Sequence, residues 1–241
     1  MPQKLVIIPT YNEIDNIEKV IRNIFSQSVS FEILVVDDSS PDLTWKLVQQ
    51  LQVEFEDRLH LEIRAQKSGL GKAYLHGFKW ALEREYEFIF EMDADFSHNP
   101  NDLIRLYNTC YKNNYDLCIG SRYITGVNVI NWPMKRVMLS WLASKYVKMI
   151  TRMPIEDTTA GFICYRRKVL EEIDLSTIKF VGYAFQIEMK FKAYKKGFKL
   201  KEIPVIFTDR TKGKSKMSSG IIKEAVFGVI TLKLKSLFGK I

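Results

Sequence analysis

Two carboxylates stand one residue apart in the stretch Phe90-Glu91-Met92-Asp93-Ala94-Asp95-Phe96-Ser97-His98, which continues the apolar run Phe88-Ile89-Phe90. On a continuing strand Asp93 and Asp95 would point to one face and repel each other. Two readings are open. Asp, Ser, His and Asn-Pro punctuate many strand ends, so the stretch can be a plain polar turn. Alternatively, the pair supplies hard oxygen ligands for a divalent cation, set where α/β sheets carry their chemistry, at the carboxyl end of a strand.

Two further acid-bearing stretches follow apolar runs. Pro9-Thr10-Tyr11-Asn12-Glu13 comes after Leu5-Val6-Ile7-Ile8, and Asp37-Asp38-Ser39-Ser40-Pro41-Asp42 comes after Ile33-Leu34-Val35-Val36. If these runs are strands of one doubly wound sheet, their carboxyl ends face one crevice and acids distant in sequence converge there. A fourth stretch, Lys67-Ser68-Gly69-Leu70-Gly71-Lys72, can bring backbone N–H groups toward a phosphate at a helix start. It lacks the third glycine of a dinucleotide fingerprint and the Gly-Lys-Ser/Thr of a P-loop. That speaks against a nicotinamide enzyme or an ATPase.

The elements that must position these residues show as short β-branched runs alternating with helical spacing. Strands are expected at 5–8, 31–36, 59–63, 88–92 and 117–119. Ile14, Ile17, Ile21, Ile24 and Phe25 share one helix face, and Leu43, Leu47, Val48 and Leu51 another. Beyond Asn131 a long helix is expected over 135–150, a strand near 162–165, a helix over 183–194 and a short strand over 201–207. This order predicts an α/β fold with a mostly parallel central sheet and helices on both faces, in one domain spanning 1–241.

A chain of 241 residues with 46% hydrophobic and 27% charged residues suits a soluble globular domain with a sizeable core. Cys110, Cys118 and Cys164 have no metal-ligand spacing and cannot all pair, which points to reduced thiols and a cytoplasmic setting. The opening residues lead straight into 5–8, too short a run for a signal-peptide core. Residues 210–241 hold eight Lys and Arg against one acid, a net +7 of the chain's +8. A basic tail of this kind suits nucleic acid, an anionic membrane surface or a phosphorylated substrate. Within it, 221–238 reads as a helix with a wide apolar face. Its longest uncharged run, 225–232, falls far short of the ~20 apolar residues of a membrane span. Such a helix can lie on a membrane, dock on a partner or close the protein's own core.

PTYNE at 9–13, DDSSPD at 37–42, GLGKAYLHG at 69–77, MDADFSH at 92–98, GSRY at 120–123, TAGF at 159–162 and FQIEM at 185–189 occur in that order. Thr208-Asp209-Arg210 and Gly-x-Ser-Lys at 213–216 follow. Together they resemble the family 2 glycosyltransferases of the GT-A (Rossmann-like) fold, specifically the dolichyl- and polyprenyl-phosphate mannose synthases. The resemblance covers about residues 4–220. It implies an inverting, metal-dependent transfer of mannose from GDP-mannose to dolichyl or polyprenyl phosphate. Asp93 and Asp95 would hold Mg²⁺ or Mn²⁺ against the diphosphate and, with Arg122 and Arg210, form the catalytic set. Pro9, Tyr11, Glu13, Val36, Asp38 and Ala94 would bind the donor. Arg136 and Lys216 would join Arg122 and Arg210 around the phosphates, with Ser140, one helical turn from Arg136, donating to the acceptor phosphate.

The Gly- and Ser-containing stretch 209–218 is expected to be a mobile loop able to close over the phosphates, and 219–241, mostly beyond the resemblance, a basic amphipathic helix. Glu188 is not required as a base, because a monophosphate acceptor with a second pKa near ~6 is already an anion at neutral pH. It reads as a positioning or structural residue, and His76 and His98 as helix and turn residues. Ser97 stands where some relatives carry Gln beside the metal. Membrane-integrated relatives have transmembrane helices after the catalytic domain and this sequence has none. The expected form is therefore cytoplasmic and peripherally associated with a membrane, directly or through a small membrane-anchoring partner. A different nucleotide sugar (UDP-glucose or UDP-GlcNAc) and a non-lipid acceptor stay open, while a catalytically dead scaffold is hard to square with both Asp93 and Asp95 standing beside the Arg set. A nucleic-acid-binding module is disfavoured, since the charge is confined to one tail and no recognition helix or stacking signature accompanies it.

Overall fold

The computed structural model describes residues 3–182, 184–209 and 219–238, the last segment with side chains from 227 onward. The runs 5–8 and 33–36 are buried on both faces, as parallel strands covered by two helix layers require. They lie in β1 (Gln3–Thr10) and β2 (Glu32–Asp37), which join β3 (Leu59–Ile63), β4 (Tyr86–Glu91), β5 (Leu117–Ser121), β7 (Ile163–Arg166) and β8 (Leu200–Pro204). The seven strands follow the order β3-β2-β1-β4-β7-β5-β8. All run parallel except β7, which is antiparallel to both β4 and β5. A two-residue strand, β6 (Val129–Ile130), pairs with β9 (Phe207–Thr208) outside this sheet.

Helices α1 (Ile17–Phe25), α2 (Thr44–Glu54) and α4 (Asp102–Tyr111) cover one face. Helices α3 (Leu70–Leu82), α5 (Met134–Thr151), α6 (Arg167–Glu172), α7 (Ala184–Lys195) and α8 (Ser219–Leu237) lie toward the other. The period of two along each strand divides the core between them. Leu5 and Ile7 pack with Tyr74, Phe78 and Phe185 of α3 and α7, whereas Val6 and Ile8 pack with Val20 and Leu106 of α1 and α4.

Some boundaries differ from expectation. Ile14 is exposed and precedes α1, because the chain leaving β1 is first bound to the loop after β2. The strand expected over 201–207 is split, 200–204 entering the sheet and Phe207–Thr208 leaving it to meet β6. The helix expected over 221–238 faces two ways. Val229 and Leu232 are buried in the core, while Phe227, Ile230, Leu234, Leu237 and Phe238 form an exposed stripe on the opposite side. No helix among the described residues is long and apolar enough to cross a membrane. The three thiols are free and buried, and Cys118 and Cys164 sit opposite each other on β5 and β7.

The close seat of α3 on the sheet depends on two glycines. A Cβ at Gly77 would come within 2.7 Å of Ile7 Cγ2, and one at Gly71 within 2.8 Å of the Phe185 ring. Gly77→Ala therefore overpacks the core under β1, a change that costs about 1–3 kcal/mol. Thermal unfolding is expected to shift down by about 2–4 °C per kcal/mol; an unchanged midpoint would show that α3 yields freely.

Candidate active site

Because β2, β1 and β4 are neighbours, their carboxyl ends lie side by side. The ends of β1 and β2 are pinned through Asp37. Its carboxylate accepts from Thr10 Oγ1 (2.7 Å), Ser40 Oγ (2.6 Å) and Ser40 N (2.8 Å), and Ser40 Oγ accepts from Asn12 N (3.0 Å). The first acid of the Asp-Asp pair is thus structural. Asn12 and Ser39, at φ 58° and 52°, bend the backbone into the left-handed region as each strand ends. Asp38 is buried and pairs with Arg64, whose Nε lies 2.9 Å from Oδ1, and Arg64 also donates to Ser68 Oγ. Burial pushes the Asp38 carboxyl above its usual range, against the pull of Arg64. Lys67 Nζ sits 4.1 Å from the Tyr11 ring centroid. Glu13 receives Asn16 Nδ2 (3.2 Å) on its carboxylate, while its backbone N donates to Thr44 Oγ1 (3.0 Å). Pro9 is partly exposed opposite Val36, which is wholly buried between β1 and β3 and so is not open to a ligand as the expectation had it.

Past the end of β4 the chain turns. Asp93 is partly exposed, whereas Asp95 and Ala94 are buried. Asp95 Oδ1 accepts from Ser97 N (3.0 Å) and Ser97 Oγ (2.5 Å), so the short hydroxyl at 97 is used to hold the carboxylate. Phe96 between them takes φ 59°, strain of about 1–3 kcal/mol for a bulky residue. His98 Nδ1 accepts from Asp93 N (3.1 Å), and its ring stacks on Phe162 at 4.8 Å. Burial lowers its pKa to about 4, which makes it a neutral turn residue. The turn is therefore polar and also presents two carboxylates from one short loop. Among the described residues no third His, Cys, Asp or Glu completes a metal cluster. A pair of carboxylates fits Mg²⁺ or Mn²⁺ when phosphate and water oxygens fill the remaining positions.

Arg122, following β5, faces inward. Its Nε and Nη2 donate to the two carboxylate oxygens of Asp157 at 2.6 Å each, its backbone N adds a third bond (3.0 Å), and Nη2 reaches Thr159 Oγ1 (2.8 Å). The expectation of a guanidinium turned on phosphates thus meets a buried ion pair. Two cations approach Trp132, Arg122 at 5.5 Å and Arg136 at 4.0 Å from its ring. Arg136 on α5 pairs with Asp209 (2.9 Å). Ser140, one turn on, is half-buried beside the Tyr123 phenol. Thr208 N donates to Ser97 O (3.3 Å), which ties β9 to the acid turn. Arg210 and Lys216 lie outside the described residues, as does most of the loop expected at 209–218.

Behind the turn Glu91 is wholly buried. It accepts from Tyr165 OH (2.9 Å) and Gln186 Nε2, and burial raises its pKa to about 7 despite those bonds. Lys190, one turn along α7 from Gln186, donates to Ala160 O, and burial lowers its pKa to about 8. Arg64, Trp132, Asp157, Phe207 and this Glu91–Lys190 group all belong to the neighbourhood and escaped sequence reading, and Lys67 was read only for its backbone. Asp157 stands two residues before TAGF, so flanking charge was the available signal.

Comparison with known proteins gives a consistent relationship. The family model described as glycosyl transferase family 2 matches residues 5–174. The chain is 47% identical over 225 residues to a polyprenol monophosphomannose synthase of Mycolicibacterium smegmatis, covering 93% of this chain and 84% of that one. It is 42% identical over 225 residues to an undecaprenyl-phosphate mannosyltransferase of Micrococcus luteus, with 93% and 91% covered. A mannosyltransferase from Pyrobaculum calidifontis, solved in complex with GDP-Man and Mn²⁺, superposes with a TM-score of 0.62 at 17% identity, over 99% of this chain and 74% of that chain. At that identity the likeness is one of fold, and the fold is GT-A.

The Arg122–Asp157 pair makes a testable demand. Burial alone would raise the Asp157 carboxyl, but the charge and hydrogen bonds of Arg122 outweigh it and hold it below the usual range. A depressed folded-state pKa adds stability above the unfolded value of about 3.9, and that stability is lost as pH falls through the folded pKa. Asp157→Asn leaves a buried guanidinium without its counter-charge and should cost about 3–5 kcal/mol at pH 7. In urea unfolding the gap between variant and wild type should narrow below pH 4; a gap independent of pH would show that the charge on Asp157 contributes nothing.

Proposed function

This chain belongs to glycosyl transferase family 2, and from that premise we propose that it transfers mannose from GDP-mannose to a polyprenyl phosphate, inverting the anomeric centre. One observation carries this reading. The acid turn stands between a nucleotide end, built by Tyr11, Glu13, Asp38 and the Arg64–Lys67 stretch, and a helix suited to a lipid phosphate. That helix, α5, directs Arg136 and Ser140 toward Asp209 and Tyr123. Its Met134, Met138, Trp141, Leu142 and Met149 recur at helical spacing on an exposed apolar face. The helix thus turns its charged and hydroxyl contacts inward and the apolar face outward, and the two sides together suit an amphiphilic phosphate.

In this reading Asp93 and Asp95 hold Mg²⁺ or Mn²⁺, which when bound neutralises charge developing on the leaving diphosphate. Pro9, Tyr11, Glu13 and Asp38 orient the nucleoside, with the buried Val36 and Ala94 shaping the floor beneath it. Arg136, exchanging Asp209 for phosphate, and Ser140 seat the acceptor. Arg122, held by Asp157, fixes the cationic wall around Trp132, and Arg210 and Lys216 are assigned to the phosphates. An acceptor phosphate oxygen attacks the anomeric carbon as the carbon–oxygen bond to GDP breaks. The acceptor is mostly anionic at pH 7, so no strong base is needed. The exposed stripes of α5 and α8, with Lys233 and Lys235 on α8, support peripheral contact with an anionic bilayer.

A radiolabel transfer assay with short polyprenyl phosphates should show product from GDP-mannose and none from UDP-glucose. Asp95→Asn should lower turnover by about a hundredfold or more, the scale of losing one preorganised electrostatic contact, and EDTA should do the same to the wild type. Product from UDP-glucose alone would replace the donor, and full turnover of the variant in EDTA would remove the metal assignment.

Liposome flotation tests the membrane contact separately. Lys233→Glu with Lys235→Glu should weaken binding to anionic vesicles, each lysine being worth about 1 kcal/mol there, and added salt should mimic the loss. Unchanged binding would leave a protein anchor as the better account.

A further inference from the structure

Residues 178–182 form a strap that leads from the short 3-10 turn Leu175–Thr177 toward α7. Glu188 of α7 lies beneath it, almost wholly buried. One of its carboxylate oxygens accepts from the backbone N of Lys179 (3.0 Å) and of Phe180 (3.2 Å). The other lies 3.4 Å from Lys192 Nζ, which donates to Thr177 Oγ1 (2.7 Å). Among the described residues the hydrogen bonds of this carboxylate hold the strap, and its charge also acts on Lys235 of α8.

The strap in turn touches two functional regions. The Val181 carbonyl accepts from Gly71 N (2.9 Å) in the first turn of α3, and it lies 3.1 Å from where a Cβ on Gly69 would stand. Gly69 takes φ 102°, so this turn is shaped to the strap. Just before it come Arg64, Lys67 and Ser68, which engage Asp38 and Tyr11. On the other side the Phe180 ring lies against α8 at Gly228, where an added Cβ would come within 2.4 Å of the ring.

We propose that Glu188 is a positioning residue for the transfer reaction: by fixing the strap it ties the seat of α8 to the Gly69–Gly71 turn at the nucleotide end, so that α8 and donor binding are energetically coupled. The proposal rests on the donor site assigned above. Two N–H groups on one buried carboxylate oxygen are charge-assisted bonds, and removing the acceptor leaves both donors unpaired. At Gly228 the contact has no room for even a methyl group. A displacement of α8 toward the strap therefore pushes on the Phe180 ring, whose backbone N is held by Glu188. Coupling is reciprocal: whatever shifts α8 weakens the donor, and a bound donor steadies α8.

The test measures GDP affinity by calorimetry, together with donor KM, acceptor KM and kcat, on the full chain. Glu188→Ala should weaken GDP and raise donor KM about tenfold, within the usual range of coupling, with acceptor KM and kcat unchanged within about twofold. Glu188→Gln keeps an oxygen acceptor and should restore most of the affinity. Gly228→Ala should reproduce the donor defect from the far end, and adding Phe180→Leu should relieve it. That pair decides the matter if Glu188→Ala does not fold. Wild-type GDP affinity in Gly228→Ala, or a Glu188→Ala defect confined to the folded fraction and kcat, would overturn the proposal. If the wild type binds UDP instead of GDP, the donor assignment fails and the same series is read with UDP. A wild type that binds neither overturns both.

Discussion

The buried bidentate pair between Arg122 and Asp157 is the interaction on which the acceptor side of the molecule depends. Taking both charges out of water costs several kcal/mol per ion, and only near-ideal geometry with further hydrogen bonds offsets it. Both conditions are met: Asp157 also bonds the Arg122 backbone, and Arg122 also bonds Thr159. The turn carrying Asp157 is fixed from outside as well, because the backbone N of Glu156 and of Asp157 donate to the Glu202 carboxylate at 2.7 and 2.8 Å. Lys190 holds the same turn at Ala160. With the guanidinium immobilised, Trp132 and Phe207 can pack edge to face beside it, and Arg136 also approaches the Trp132 ring. One ion pair thus orders β5, the turn before β7, the edge strand β8 and the start of α5.

The nucleotide side is built differently. Short side chains and backbone bends do the work, with Thr10 and Ser40 converging on Asp37, Asn12 bonded in turn to Ser40, and left-handed residues placed as the strands end. Such contacts are individually worth about 0.5–1.5 kcal/mol, but they sit on strands whose positions the core already determines. The chemistry falls between a side fixed by ionic and aromatic packing and a side fixed by hydroxyl hydrogen bonds. Asp93 and Asp95 occupy that junction, on a turn bonded to itself through Ser97 and to β9 through the Ser97 carbonyl.

Much of this was legible in the residues. A parallel strand covered on both faces must be apolar throughout, so 5–8, 33–36 and 88–90 announced themselves. The acids that follow them had to share a crevice if the runs were neighbours. The direction of β7 was not legible, since Ile163-Cys164-Tyr165-Arg166 carries the same pattern read either way. The β6–β9 ribbon is two residues long on each side and leaves no periodicity. Asp157, Trp132 and Phe207 follow from pairings distant in sequence, and a lone Asp or Trp carries no mark of its partner. The apolar residues of α8 showed that the helix must be covered. They did not show that Val229 and Leu232 would enter the core while Phe227 and Leu234 stayed outside.

The single reversed strand has a consequence for how the chain is made. β4 pairs with β1 on one edge and with β7 on the other, and β5 reaches the sheet only through β7. A nascent chain that has completed residue 91 therefore carries one open edge along Phe88-Ile89-Phe90 until residues 163–166 emerge. At ribosomal rates of about 5–20 residues per second that interval lasts about four to fifteen seconds. An unpaired apolar edge is a template for any other extended chain. β5 would pair there in the wrong direction if it docked before β7 arrived. The strand that completes the crevice is thus also the one that ends the chain's period of exposure to misassembly.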